Sequence, residues 1–85
     1  MKPAPLSLGQ AVEQVLDAYF ETLDGQEVAN LHDLVTGEVE TALIRYVLRR
    51  TEGNRSRAAR LLGINRNTLH RKITLYKITI DQESS

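Results

Sequence analysis

The chain has 85 residues with 11 Lys plus Arg, 11 Asp plus Glu, a formal net charge of zero, no Cys, no Trp and two His. Absence of Cys excludes disulfides, Cys-ligated zinc and thiol catalysis, and His32 and His70 alone leave little for metal chemistry, so no catalytic residue, metal or cofactor is expected. The length is short for an enzyme that encloses its own pocket, and no apolar run reaches the ~18–20 residues that cross a bilayer, so a cytoplasmic protein without membrane contact is expected.

Lys2-Pro3-Ala4-Pro5 is a poor helix start, but Ser7 with Gln10 three residues on forms a capping-box pattern. Leu8, Ala11, Val12, Val15, Leu16, Tyr19, Phe20 and Leu23 then recur mostly in steps of 3 and 4, predicting a helix over 8–24 closed by Asp24-Gly25. Val28, Leu31, Leu34, Val35, Val39, Ala42, Leu43, Tyr46 and Val47 keep the same period and predict a second helix over 28–51, with Gly37 as a mild internal cost. From Ala42 to Leu48 its apolar residues spread around the helix, which calls for neighbours on more than one side. Asn54 is a good N-cap for a short third helix, Arg55 to Leu62, stopped by Gly63. Asn65 caps a fourth that runs to about Lys77, its apolar face made by Leu69, Ile73 and Tyr76. Ile78-Thr79-Ile80 is strand-like but too short to matter, and 81–85 is a frayed polar tail. Tyr19, Phe20, Tyr46 and Tyr76 all fall in apolar stripes and are expected in a core, whereas His32, Asp33, Glu38 and Glu40 are expected as solvated helix charges.

The fold class is therefore all-α, four helices in a single domain over 1–85. A second helix of the expected length spans roughly 36 Å, whereas a compact chain of this size has a radius of gyration near ~12 Å. The economical solution is a homodimer, with helices one and two of both chains intertwined in a four-helix core over 8–51 and a separate unit over 54–77. The alternative is a piece cut from a longer protein.

Zero net charge hides a strong asymmetry. Residues 1–44 carry one basic residue against eight acids, a net of −7, while residues 45–77 carry ten basic residues against the single acid Glu52, a net of +9. The tail adds Asp81 and Glu83. Such a chain pairs an acidic body with a basic working end.

The basic end holds a helix-turn-helix pattern over residues 54–73. Ala59 lets two helices approach, Gly63 permits the tight turn, Ile64 plugs the angle, and Leu62, Leu69 and Ile73 form a small shared core. Arg66, Asn67, His70, Arg71 and Thr74 fall on the outer face of the fourth helix. Arg reads guanine bidentately and Asn reads adenine, and the start of a recognition helix is where base edges are reached. From Gly53 through Lys77 stand seven basic residues and no acid, a phosphate-binding footprint. The partner expected is double-stranded DNA.

These residues, with Tyr19-Phe20, Leu23, Gly25-Gln26, Leu34-Val35, Glu38-Val39-Glu40, Gly53-Asn54, Arg57-Ala58-Ala59, Gly63-Ile64-Asn65-Arg66 and Thr68-Leu69, give the chain a close resemblance over residues 10–78 to the Fis (factor for inversion stimulation) family of bacterial nucleoid DNA-binding proteins. The resemblance implies a homodimer that places two recognition helices in successive major grooves, bends DNA, binds degenerate sites, shapes the bacterial nucleoid and regulates transcription. It implies that Asn54, Ser56, Asn65, Arg66, Thr68, Arg71 and Lys72 contact DNA, with Arg66 as the guanine reader, Asn65 beside it, and Asn54, Ser56, Thr68, Arg71 and Lys72 on phosphates. Arg57, Asn67 and His70 complete the expected interface.

Departures from the family pattern carry expectations too. His70 stands where the family often has Arg, and Thr74 and Leu75 where it is often basic, which weakens or shifts the backbone grip. Glu52 replaces a frequent basic residue in a loop implicated in contacts to RNA polymerase, which leaves that partner open. About seven residues precede the first helix, too few for the β-hairpin arm with which the family touches DNA invertases, so stimulation of inversion is not expected. Two alternatives stand beside this reading: a module cut from a sigma-54 enhancer-binding activator, whose C-terminal helix-turn-helix is similar, and a helical protein-interaction module whose basic face meets an acidic partner.

Overall fold

A computed structural model of the chain describes residues 7–25 and 28–80. The expected N-terminal arm (residues 1–6) and polar tail (81–85) lie outside the described residues. Four helices follow one another, α1 Leu8–Leu23, α2 Leu31–Arg50, α3 Arg55–Leu62 and α4 Arg66–Leu75, with no strand among the described residues. The all-α reading of the sequence holds.

Caps set the boundaries. Ser7 closes the expected box on α1: its Oγ accepts from the Gln10 N–H at 3.1 Å, and Gln10 Oε1 accepts from the Ser7 N–H at 3.0 Å. Asp24, at φ 54°, is already left-handed, so α1 ends one residue early. The larger correction is at α2, which starts at Leu31 rather than 28 because Asn30 adopts φ 60°. Asn is one of the few residues that visits this region at modest cost. Val28 lies in phase with Leu31, so the hydrophobic period runs through a break that only the backbone reveals. With 20 residues α2 is about 30 Å long.

The last three helices stop in the same way. In α2 the Gly53 N–H donates to Leu48 O at 2.8 Å and the Glu52 N–H to Arg49 O at 3.1 Å; in α3 the Ile64 N–H donates to Ala59 O at 3.0 Å and the Gly63 N–H to Arg60 O at 3.2 Å; in α4 the Ile78 N–H donates to Ile73 O at 3.0 Å and the Lys77 N–H to Thr74 O at 3.2 Å. Each is the paired closure of a Schellman cap. Its left-handed residue is Gly63 in α3, but Glu52 (φ 55°) in α2 and Lys77 (φ 52°) in α4, where a side chain is carried at a steric cost.

The core lies at the C-terminal end of the chain. Ile44, Val47 and Leu48 of α2, Ala58 and Ala59 of α3, Leu69 and Ile73 of α4, and Ile78 beyond it are buried, with Leu62, Ile64, Tyr76 and Ile80 packed against them. Ala58 and Ala59 have no side chain beyond Cβ, which lets α3 lie close on its neighbours. Ile78 and Ile80, dismissed in the sequence as too short a strand-like run, are the apolar strap that closes this core. Ile78 reaches it because the α4 cap turns the chain back over Ile73.

Among the described residues the other half has no such interior. No residue of α1 is buried, and Val15 is 67% exposed, Tyr46 56% and Leu43 48%. Tyr19 and Phe20 meet edge to face with centroids 5.9 Å apart, but both remain exposed. Within one chain, therefore, only Tyr76 of the four aromatics packs against the core as expected. Between α1 and α2 runs an open apolar groove of about 280 Å³, walled by Val12, Val15 and Leu16 on one side and Leu34, Val35 and Val39 on the other. The Cα radius of gyration, 15.7 Å, exceeds the ~12 Å of a compact chain this long.

Candidate nucleic-acid interface

Three residues, Gly63, Ile64 and Asn65, join α3 to α4. Gly63 takes φ 76°, the left-handed turn its sequence position called for, and Ile64 drops against the core between the two helices. Leu69 and Ile73 bury one side of α4 against α3 and α2, so the opposite side is left to solvent. The helix-turn-helix is thus built on α2, which contributes Ile44, Val47 and Leu48 to what the sequence showed as a two-helix core.

Both N-caps are made by asparagine oxygen. Asn54 Oδ1 accepts from the Arg57 N–H at 3.1 Å, and Asn65 Oδ1 accepts from the Asn67 N–H at 2.7 Å. A carboxamide has one acceptor and one two-proton donor. Capping uses the acceptor and leaves each Nδ2 free to donate outward. The two sequence readings of Asn54 and Asn65, cap and DNA contact, are therefore compatible on different atoms.

The expected contact residues are not equally presented. Asn54, Ser56, Arg57, Asn65, Arg66, Asn67 and Arg71 are exposed, whereas Thr68, His70 and Lys72 are half-buried. Asn67, His70, Arg71, Thr74 and Leu75 line a shallow groove along the outer face of α4. The start of α3 is brought to the middle of that face, because Arg55 Nη1 lies 2.7 Å from His70 Nδ1.

Lys72 points the other way. Its ammonium sits on the Glu40 carboxylate of α2, 3.1 Å from Oε1 and 3.0 Å from Oε2. The Tyr76 hydroxyl donates to the same Oε1 at 2.7 Å. Glu40 thereby ties the end of α4 to the middle of α2. Tyr76's hydrogen bond, then the Lys72 ammonium, holds the Glu40 carboxyl below the usual range for glutamate. The same bond pushes the Tyr76 hydroxyl up. Gly37, one turn before Glu40, faces the Tyr76 ring: an added Cβ would stand 3.8 Å from Tyr76 Cε1.

Glu40, expected as a solvated helix charge, is half-buried and paired instead, and Arg55 and Tyr76 are further site residues that the sequence did not disclose. Arg55 and His70 are 15 residues apart, and Glu40 and Lys72 are 32 apart. Both pairs join different helices, so no periodicity within a helix signals them. The only hint was a basic residue directly after the Asn54 cap.

A family model described as "Bacterial regulatory protein, Fis family" matches residues 37–76. The chain is also similar to "DNA-binding protein Fis" of Yersinia enterocolitica, of Enterobacter sp. (strain 638) and of Proteus mirabilis, 46% identical to each over 69 residues that cover 81% of this chain and 70% of the relative. The chain belongs to the Fis family. The family match begins at Gly37 and ends at Tyr76, so in this Fis-family chain it takes in the Glu40 tie as well as the helix-turn-helix. The longer match of 69 residues extends well beyond 54–77, where a likeness confined to a helix-turn-helix would stop.

Proposed function

We propose that this Fis-family chain is a homodimeric DNA-binding and DNA-bending protein of the bacterial nucleoid, acting in the cytoplasm as chromosome architecture and as a transcriptional regulator. The observation that carries the DNA reading is the outer side of the helix-turn-helix. Asn65, Arg66 and Asn67 stand exposed at the start of α4, and Asn54, Ser56 and Arg57 at the start of α3. No acid lies among the seven basic residues from Gly53 through Lys77. In this reading Arg66 reads guanine with Asn65 and Asn67 beside it, His70 follows one turn on, and Asn54, Ser56, Arg57, Thr68 and Arg71 hold phosphates. Lys72 joins them by exchanging Glu40 for a phosphate oxygen. Bending follows from the family resemblance, in which two recognition helices sit closer than one turn of straight DNA; the duplex then adds readout through its own deformability.

The dimer rests on the wet apolar surface of α1 and α2. A face holding Val15, Leu43 and Tyr46 at these exposures is covered most simply by the same face of a second copy. The partners are therefore double-stranded DNA and a second copy of this chain, with RNA polymerase left open by Glu52.

Titration of a random-sequence duplex and of a preferred one, at several salt concentrations, tests the DNA reading. Binding is expected to weaken with a log–log slope of about −0.9 per neutralised phosphate. Lack of salt-sensitive binding to any duplex would overturn it in favour of a protein-interaction module. Sedimentation of Val15→Asp tests the dimer. The substitution is harmless on a 67% exposed position of a monomer, so an unchanged sedimenting mass in the variant would refute the shared core.

A further inference from the structure

The Arg55–His70 contact lies in the middle of the exposed face of α4 and has only one chemically consistent form. A guanidinium donates and never accepts. His70 Nδ1, 2.7 Å from Arg55 Nη1, must therefore be the acceptor, which puts the ring in its neutral form with the proton on Nε2. The two ring nitrogens lie on opposite edges of the imidazole. Fixing Nδ1 toward α3 turns Nε2–H away from it, and His70 lines the groove with Asn67, Arg71, Thr74 and Leu75. His70 is half-buried, so its ring is confined by the two helices as well as by the hydrogen bond.

We propose that Arg55 is a positioning residue that fixes the tautomer and aim of His70, so that His70 presents a single Nε2–H donor to an acceptor on the edge of a DNA base. This rests on the DNA reading above. His70 follows Asn67 by three residues and Arg66 by four, which puts it on the same helical face as the residues at the start of α4, one turn further along. The acceptors available in the major groove are purine N7, guanine O6 and thymine O4. A neutral ring with one donor contacts any of these without the charge that would make it bind every phosphate equally. Arg55 keeps its charge and its other N–H donors, so its role in orientation is read from the difference between preferred and random duplexes, which phosphate neutralisation alone would not produce.

The test has two arms, both at pH 8. In the first, long-range nitrogen–proton NMR of the full-length protein reads the tautomer of both rings, with His32 assigned through a His32→Gln variant. The His32 side chain is 87% exposed, with Nδ1 3.7 Å from Asp33 Oδ1, so it serves as the internal reference. His70 is expected in the Nε2–H form in the wild type. In Arg55→Met it is expected to show the averaged signals of a free ring. Identical Nδ1 and Nε2 shifts in both proteins overturn the positioning role.

In the second arm, binding to a preferred and to a random duplex is measured for the wild type, Arg55→Met, His70→Ala and the double variant. Each single substitution is expected to cost about three- to tenfold more on the preferred duplex than on the random one, and the double variant no more than either. Additive losses overturn the coupling. Duplexes with single 7-deazapurine substitutions locate an N7 acceptor, and duplexes with 4-thiothymine or 6-thioguanine locate an oxygen. Methylphosphonate duplexes are the contrary arm, because removal of the His70→Ala effect by a neutral phosphate, and by no base change, would make His70 a backbone contact and overturn base reading. Wild-type binding to both duplexes is the control. Its absence sinks the DNA reading itself, whereas intact binding with additive losses sinks only the role of Arg55.

Discussion

Gly37→Ala is expected to stabilise the fold, and its size follows from two features of α2. Gly37 lies in the interior of a 20-residue helix, where glycine is less favourable than alanine by about 0.5–1 kcal/mol. Nothing in its surroundings requires glycine, because its φ is not positive and a Cβ there would meet Tyr76 Cε1 at 3.8 Å, an ordinary van der Waals distance. The methyl therefore adds a contact to the ring whose hydroxyl holds Glu40. The expected gain is about 1 kcal/mol per chain, or roughly 4–8 °C in Tm for a domain of this size. The assay is thermal and urea unfolding followed by circular dichroism. Protein concentration must be held fixed, because association would itself shift the transition. Gly37→Val serves as the companion: its γ carbons extend toward the ring and are expected to forfeit the gain. A drop in Tm for Gly37→Ala, or equal gains for Ala and Val, would show that Tyr76 does not pack against this face of α2.

Three further outcomes follow from the same structure. Arg66→Ala is expected to cost about 1–3 kcal/mol on a preferred duplex; an equal loss on every sequence, in a titration against unrelated duplexes, would make Arg66 a phosphate contact instead. Glu52→Gly relieves a side chain held at φ 55° and should raise stability by about 1 kcal/mol in urea unfolding; a loss would mean that the carboxylate holds something in place. Glu40, whose folded-state pKa is lowered by Tyr76 and Lys72, stabilises the fold at pH above the unfolded glutamate value of 4.5, and that contribution is lost as pH falls through the lower folded-state value. Glu40→Gln should therefore flatten the acid limb of a stability-versus-pH curve, and curves of the same shape below pH 4.5 would remove the linkage.

The sequence disclosed what is local. Ser7 with Gln10, Asn54 and Asn65 mark helix starts through bonds to residues two or three positions away, and all three caps are present. Gly63 marks a turn by its own backbone freedom. What the sequence hid depends on residues far apart or on backbone alone. Asn30 breaks the chain before α2 without interrupting the hydrophobic period. Glu52 and Lys77 take left-handed conformations that their residue types do not advertise. Ile78 and Ile80 look like a fragment of strand until the α4 cap folds them back onto Ile73. Arg55 with His70, and Glu40 with Lys72, join helices whose relative placement is a tertiary fact. Lys72 is the instructive case among the site residues: the family resemblance implied a phosphate ligand, and its side chain is held by Glu40 of α2.

Among the described residues the buried interior begins at Ile44, and none of those N-terminal to it is buried. The two ends then answer to different controls. The helix-turn-helix draws its order from contacts inside one molecule, which dilution does not touch. In the proposed homodimer the order of α1 depends instead on meeting a second copy, and mass action sets how often that happens. A cell that changes the amount of such a protein changes more than the number of copies: it changes the fraction that exists as paired heads. For such a dimer, occupancy of a two-headed site rises with the square of the protein level at the dilute end, which would make abundance itself the signal.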